Sequence, residues 1–164
     1  MMNLYLVRHG IAEDDSPGGD AERELTQEGI ERMREIAEGL RALGVVADCV
    51  ATSPLRRARQ TAEILADVLG SARSVVTLPC LAPGGSLPEF LQWLEHEGED
   101  DVIAVGHMPE VGAWAARCLT GQRAIGLLFK KGAVCSLSFE GEPSAGLAQL
   151  NWLMQPAALK RVGR

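Results

Sequence analysis

Residues 3–10 read Asn3-Leu4-Tyr5-Leu6-Val7-Arg8-His9-Gly10. A short apolar run that stops abruptly on charge is a buried strand entering a loop. The pattern returns far down the chain, where Val102–Val105 runs into Gly106-His107. Between these two strands, Thr26 stands as a helix N-cap, with Leu25 and Ile30 as a hydrophobic staple and Glu28 in the first turn. Ile30, Met33, Ile36, Ala37, Leu40 and Leu43 follow at helical spacing until Gly44. Val45–Thr52 reads as a second strand. Ser53-Pro54 then reads as a helix start, a capping hydroxyl ahead of proline at the first helical position. Leu55, Ala58, Ala62, Leu65 and Leu69 form the buried stripe of that helix, which Gly70 ends.

Ser74–Leu78 reads as a third strand, Pro88–Glu97 as a helix, and about Pro109 to Leu119 as another. The tail changes character, with strands at Val134–Phe139 and Leu147–Leu153 around a Glu140–Gly146 turn region. This alternation predicts an α/β fold: a three-layer sandwich whose mostly parallel central sheet has an antiparallel strand and carries helices on both faces. No repeat, low-complexity tract or long linker divides the chain. Residues 1–164 are expected to be one domain.

Composition bounds the function. The 164 residues are 46% hydrophobic and 23% charged, the balance of a soluble globular chain. A net charge of −6 argues against non-specific nucleic-acid binding, and 4% aromatic content offers no evident platform for stacking bases. No segment approaches the ~20 apolar residues that span a bilayer, and Arg8 cuts short the only N-terminal apolar run. The expectation is a cytoplasmic protein with no membrane partner. Cys49, Cys80, Cys118 and Cys135 are scattered without metal-ligand spacing and read as small buried hydrophobes. No cofactor or metal is expected.

The chemistry lies at the strand ends. Arg8-His9-Gly10 follows the first strand, Arg56 and Arg57 follow the second in the first turn of its helix, and Gly106-His107 follows the fourth. In an open parallel sheet the carboxyl ends share one edge, and ligands bind there. Imidazoles, guanidinium forks and the helix starts behind Ser53 and Pro109 together describe a phosphate-sized anion site. Taken singly, each residue has a plainer reading. A lone His107 is an ordinary loop or core histidine, His96 a solvated residue of an acidic run, and Arg56, Arg59 and Arg73 surface charges. Periodicity does not choose between Arg56 and Arg57. Accident does not readily account for three strand ends carrying the set together.

These segments resemble those of the histidine phosphatase (phosphoglycerate-mutase-like) superfamily. Leu6-Val7-Arg8-His9-Gly10 resembles its R-H-G signature, and Ser53-Pro54-Leu55-Arg56-Arg57-Ala58-Arg59-Gln60-Thr61 its S-P-x-x-R-A-x-Q-T segment. Arg23-Glu24-Leu25-Thr26-Gln27-Glu28-Gly29 resembles the R-x-L-T-x-x-G stretch, and Val105-Gly106-His107 the second-histidine segment. Within the superfamily the likeness is greatest to small SixA-type phosphohistidine phosphatases, which share the short length, His107-Met108-Pro109-x-Val111-Gly112, and the closing Asn151-Trp152-x-Met154-x-Pro156-x-x-Leu159-Lys160.

The resemblance implies a phosphatase with His9 as the phosphorylated nucleophile. It selects Arg57 over Arg56, and places Arg8, Arg57 and a protonated His107 around the phosphoryl oxygens, with Arg23 as a further contact. Mutases and many monoester phosphatases of the superfamily carry an acidic glutamate in a G-x-x-E-G-like loop after the third strand. Here Leu81-Ala82-Pro83-Gly84-Gly85-Ser86-Leu87-Pro88 has no carboxylate before Glu89, and no cap segment is inserted between the second helix and the fourth strand. An alkoxide leaving group gains ~10²–10⁴-fold from a positioned acid, whereas an imidazole leaving from a phosphoramidate can already carry its proton. The leading expectation is therefore a protein phosphohistidine phosphatase whose partner is a phosphorylated protein of the histidine-phosphotransfer kind. A small-molecule phosphomonoesterase, assisted by His107, Glu13 or Asp14, is one alternative; a catalytically weak phosphate-dependent binding module is another.

Overall fold

The computed structural model describes residues 1–122 and 126–164. In chain order these form β1 (Met2–Arg8), α1 (Gln27–Ala42), β2 (Cys49–Thr52), α2 (Arg56–Leu69), β3 (Val76–Thr77), α3 (Leu87–Glu97), β4 (Asp101–Gly106), α4 (Glu110–Thr120), β5 (Val134–Phe139), β6 (Gln149–Met154) and α5 (Pro156–Val162). Short 3-10 turns lie at Asp20–Glu22 and Pro79–Leu81. The strands make one sheet in the order β3-β2-β4-β1-β5-β6. The first four neighbours run parallel, and β5 pairs antiparallel with both β1 and β6.

Period-two alternation explains the uninterrupted apolar strands. Leu4, Leu6, Val102 and Ala104 face a core completed by Phe90 and Leu94 of α3 and by Val111, Trp114 and Ala115 of α4. Tyr5, Val7, Ile103 and Val105 point the other way, onto Met33, Ile36 and Leu40 of α1, Ala58, Ala62 and Leu65 of α2, and Leu159 of α5. The layers are helix, sheet, helix, as the sequence predicts.

Local signals hold at several boundaries. Thr26 caps α1, its hydroxyl accepting from Gly29 N–H at 2.9 Å, and Gly70 ends α2 with φ +72°. Other boundaries differ. The second strand is only Cys49–Thr52; Val45 and Ala47 are buried but lie outside the ladder. Asp48 is tied to the first residue of β4, donating its N–H to the Asp101 carbonyl and accepting Asp101 N–H on its carboxylate, and the ladder begins one residue later at Cys49↔Val102. The third strand shrinks to Val76–Thr77. Leu43 is an exposed C-cap rather than part of the stripe. Helix α5 is absent from the sequence reading because seven residues with a single buried side chain, Leu159, give no period to detect. All four cysteines are free; Cys80 is half-buried and the others buried, and burial pushes the Cys118 and Cys135 thiols up to about 12.

Helix α1 approaches the backbone after β1 at Gly29, where a Cβ would meet the Ile11 carbonyl oxygen at 2.1 Å. Gly to Ala ordinarily favours a helix. Here Gly29→Ala is expected to cost about 1–3 kcal/mol through overpacking against rigid backbone. Urea denaturation reads the loss, and an unchanged midpoint would mean that α1 does not rest on Ile11.

Candidate active site

The ladder between β1 and β4 ends in register at Arg8↔Gly106, and His9 N–H donates to the Gly106 carbonyl at 3.1 Å. His9 and His107 therefore leave adjacent strands side by side, with ring centroids 5.0 Å apart. Both are almost fully buried, at 7% and 4% exposure, as is Arg57 at 4%. Arg8, His9, Arg23, Arg57 and His107 line one cleft of about 280 Å³, together with Pro83, Met108 and Lys131. The five residues singled out in the sequence are thus gathered in one place. Volume does not distinguish this cleft: a neighbouring one of about 390 Å³ is lined by Glu13, Asp15, Glu22, Glu24 and Arg56, whose carboxylates would repel an anion.

The motif residues between the charged groups have structural duties. Gly10 is small because a Cβ there would meet Met33 Cγ at 2.7 Å. Its N–H donates to Thr61 Oγ1 at 3.1 Å, and that hydroxyl donates to the Arg57 carbonyl at 2.8 Å. Gln60 Oε1 accepts Leu25 N–H at 2.7 Å. The turn after β1 is thereby pinned to the helix that carries Arg57.

His9 Nδ1 lies 2.7 Å from the Gly10 carbonyl. A carbonyl only accepts, so Nδ1 carries the proton and Nε2 keeps its lone pair. Burial lowers the His9 pKa to about 3, with the Gly10 hydrogen bond opposing and His107, Arg57 and Arg8 adding to the shift. Burial also lowers His107 to about 4; Arg57 and Arg8 add to this, and Glu110 and Asp20 oppose it. A protonated His107 is therefore not the state of the ligand-free site. A bound phosphate dianion would have to bring that proton by offsetting the arginine charges.

Ser53 is not the cap of α2, whose N-cap is Leu55 without a side-chain bond. Its buried Oγ lies 2.8 Å from His107 Nε2 and accepts Leu55 N–H at 3.2 Å. The helix-start amides are partly committed as well, since Val111 N–H donates to the His107 carbonyl at 2.9 Å. The anion-attracting groups are instead side chains. Arg8 Nε, Arg57 Nε and His107 Nδ1 are buried without hydrogen-bond partners among the described residues. Arg8 is braced by one NH1 bond to the Phe129 carbonyl at 2.8 Å. Arg57 donates to the Asp20 carbonyl at 2.9 Å and lies 3.4 Å from its carboxylate, which also takes Arg23 Nε at 2.9 Å.

Sequence reasoning misses Ser53 in this role, along with Asp20, Glu110 and Lys131. Ser53 carries a visible signal, a hydroxyl at a strand end, but the capping reading absorbs it; Lys131 carries none. Of the carboxylates offered as acids, Asp14 is exposed and Glu13 lines the acidic cleft, touching Arg23 only through its carbonyl. Among the described residues no carboxylate lines the Arg8–His107 cleft. Arg56 is half-buried, lies outside this cleft, and is ion-paired with Glu22 and Glu24. Among the described residues no three His, Cys, Asp or Glu side chains gather as a metal-holding group, and no helix is long and apolar enough to cross a membrane.

Buried nitrogens without partners, gathered around two imidazoles at the carboxyl edge of a parallel sheet, are groups able to hold an anion. Residues 4–82 match the model of the histidine phosphatase superfamily (branch 1). The chain is 33% identical to the phosphohistidine phosphatase SixA of Escherichia coli, over 97% of each chain. It is 44% identical to an uncharacterized protein of Picosynechococcus sp., over 83% of this chain and 84% of that one. Its fold superposes on the structure of the protein histidine phosphatase SixA complexed with tungstate with a TM-score of 0.85 and 32% identity, covering 96% of this chain and 99% of the other. The chain belongs to the histidine phosphatase superfamily.

Nitrogen-15 NMR of the ligand-free protein should find His9 and His107 neutral from pH 8 down to pH 5, since both titrate at about 3 to 4. Added tungstate should raise the His107 titration. Protonation of either ring above pH 6 without an anion would contradict the burial argument.

Proposed function

We propose that this protein is a protein phosphohistidine phosphatase that carries the phosphoryl group on His9 Nε2. The observation that carries the reading is the set of unpartnered nitrogens, the donors Arg8 Nε and Arg57 Nε and the His107 Nδ1 that becomes a donor on protonation, buried around a histidine whose Nε2 is the deprotonated nitrogen. In the first step the Nε2 lone pair attacks phosphorus and the bond to the substrate imidazole nitrogen breaks. The leaving ring departs neutral because its other nitrogen already bears a proton. In the second step water attacks phosphorus, the P–Nε2 bond breaks, and inorganic phosphate leaves. Arg8, Arg57 and His107, protonated once the dianion is bound, hold the oxygens as charge spreads over them. Arg23 stands at the rim as a further contact.

A cleft lining without a carboxylate among the described residues favours P–N over P–O cleavage, because an alkoxide would leave without a positioned acid. The substrate in this reading is a phosphorylated protein of the histidine-phosphotransfer kind. Four free thiols suit a reducing, cytoplasmic setting. One observation keeps a small-molecule phosphomonoesterase in view: Asp20 reaches Arg57 and Arg23 from the rim and would be the acid to mutate.

Turnover of a phosphohistidine-carrying protein should exceed that of alkyl phosphates by orders of magnitude when the two are measured side by side. The reverse preference would replace this reading with the phosphomonoesterase. His9→Ala should abolish turnover and Arg57→Ala should cost ~10²-fold or more, the scale of losing one transition-state donor. Arg56→Ala, at an ion pair outside this cleft, should stay within a few-fold. The opposite order for the two arginines would mean that Arg57 does not hold the phosphoryl group.

A further inference from the structure

We propose that Glu110 is a positioning residue of the phosphoryl site, tying the Pro83 wall of the cleft to the start of α4 and holding a negative charge beside His107. The inference rests on the phosphoryl-transfer reading and adds a residue to it. Glu110 is the first residue of α4, three beyond His107, in the turn that Val111 N–H closes on the His107 carbonyl. Its Oε1 accepts Gly84 N–H at 2.7 Å. Gly84 has φ +79°, and at Gly85 a Cβ would meet the Cys80 carbonyl oxygen at 1.8 Å, so this loop turns too tightly for side chains. The residue it presents to the cleft is Pro83. Glu110 thus grips one wall of the cleft from the segment that carries His107.

The other carboxylate oxygen, Oε2, is buried with no hydrogen-bond partner among the described residues. Such an oxygen costs desolvation that only charge interactions can offset. The helix N-terminus supplies part of that interaction, and His107 would supply the rest once protonated. The charges that act on His107 are those of Arg8 from β1, Arg57 from α2, Asp20 from the 3-10 turn and Glu110 from α4, with neutral His9 beside it. The arginines disfavour the imidazolium; Glu110 and Asp20 favour it. Asp20 is 66% exposed and already shared by Arg57 and Arg23. Glu110 does not line the cleft, so it acts through His107 and Pro83 rather than on the substrate.

Glu110→Gln keeps the volume and an oxygen for Gly84 N–H but removes the charge. With tungstate bound, the nitrogen-15 signals of His107 should titrate at lower pH in this variant than in wild type. The alkaline limb of kcat on an activated aryl phosphate should move the same way, because the imidazolium is lost as pH rises through its bound-state pKa. Relative to wild type, activity at pH 8 should be lower than at pH 6 by roughly three- to tenfold, the effect of a shift of about half to one unit. Glu110→Ala, which also removes the acceptor of Gly84 N–H, should raise KM in addition. A His107 titration and pH profile in Glu110→Gln that superimpose on wild type would overturn the proposal. An equal loss at every pH would overturn it too, since a merely structural residue behaves that way. The tungstate titration needs no turnover, so it reads Glu110 even if phosphohistidine proves not to be a substrate.

Discussion

The parallel ladder at the centre of the sheet ends on one hydrogen bond, from His9 N–H to the Gly106 carbonyl. β1 and β4 run in register from Asn3↔Asp101 to Arg8↔Gly106, so the next residue on each strand is a histidine at the carboxyl edge. A slip of one residue would turn Leu4, Leu6, Tyr5 and Val7 to the wrong faces, so burial on both sides fixes the register strongly. The same register puts the two imidazoles in contact range. Thr61 then fastens the turn after β1 to α2, and Gln60 ties Leu25 to the same helix, bringing Arg57 to the same edge.

This placement leaves the molecule with an electrostatic imbalance. Two guanidiniums and two imidazoles sit where water is largely excluded, and each additional positive charge disfavours the next. Both imidazoles give way by staying neutral, while the arginines cannot. Asp20, on an exposed turn at the rim, lies 3.4 Å from Arg57 in the ligand-free protein. A phosphoryl dianion would supply what is lacking: acceptors for the free Arg8 and Arg57 donors, and charge that draws a proton onto His107. Binding and protonation would therefore be one linked event.

The sequence is most legible where a single local rule decides the outcome. Apolar strands ending in Arg8-His9 and Gly106-His107, the Thr26 cap and the Gly70 stop all follow from period, capping and glycine stereochemistry. Period-two burial on both faces foretells the layers. What escapes the sequence depends on partners far along the chain. Ser53 carries every mark of a cap, yet its hydroxyl pairs with His107, 54 residues away. Glu110 looks like an ordinary first-turn acid until Gly84 is seen beside it. Val45–Asp48 is apolar enough for a strand, but the ladder begins only at Cys49. The choice of Arg57 over Arg56 comes from family resemblance; in the fold Arg57 is buried on the cleft and Arg56 is half-buried among carboxylates.

In the proposed reaction phosphoryl transfer goes through one nitrogen of one residue, because the Gly10 carbonyl occupies the other. Phosphorus-31 NMR of the intermediate trapped from labelled substrate, followed by peptide mapping under alkaline conditions, tests this directly. The account predicts a single phosphoramidate, on Nε2 of His9. A phosphoryl group on Nδ1, on His107 or on any other residue would contradict it.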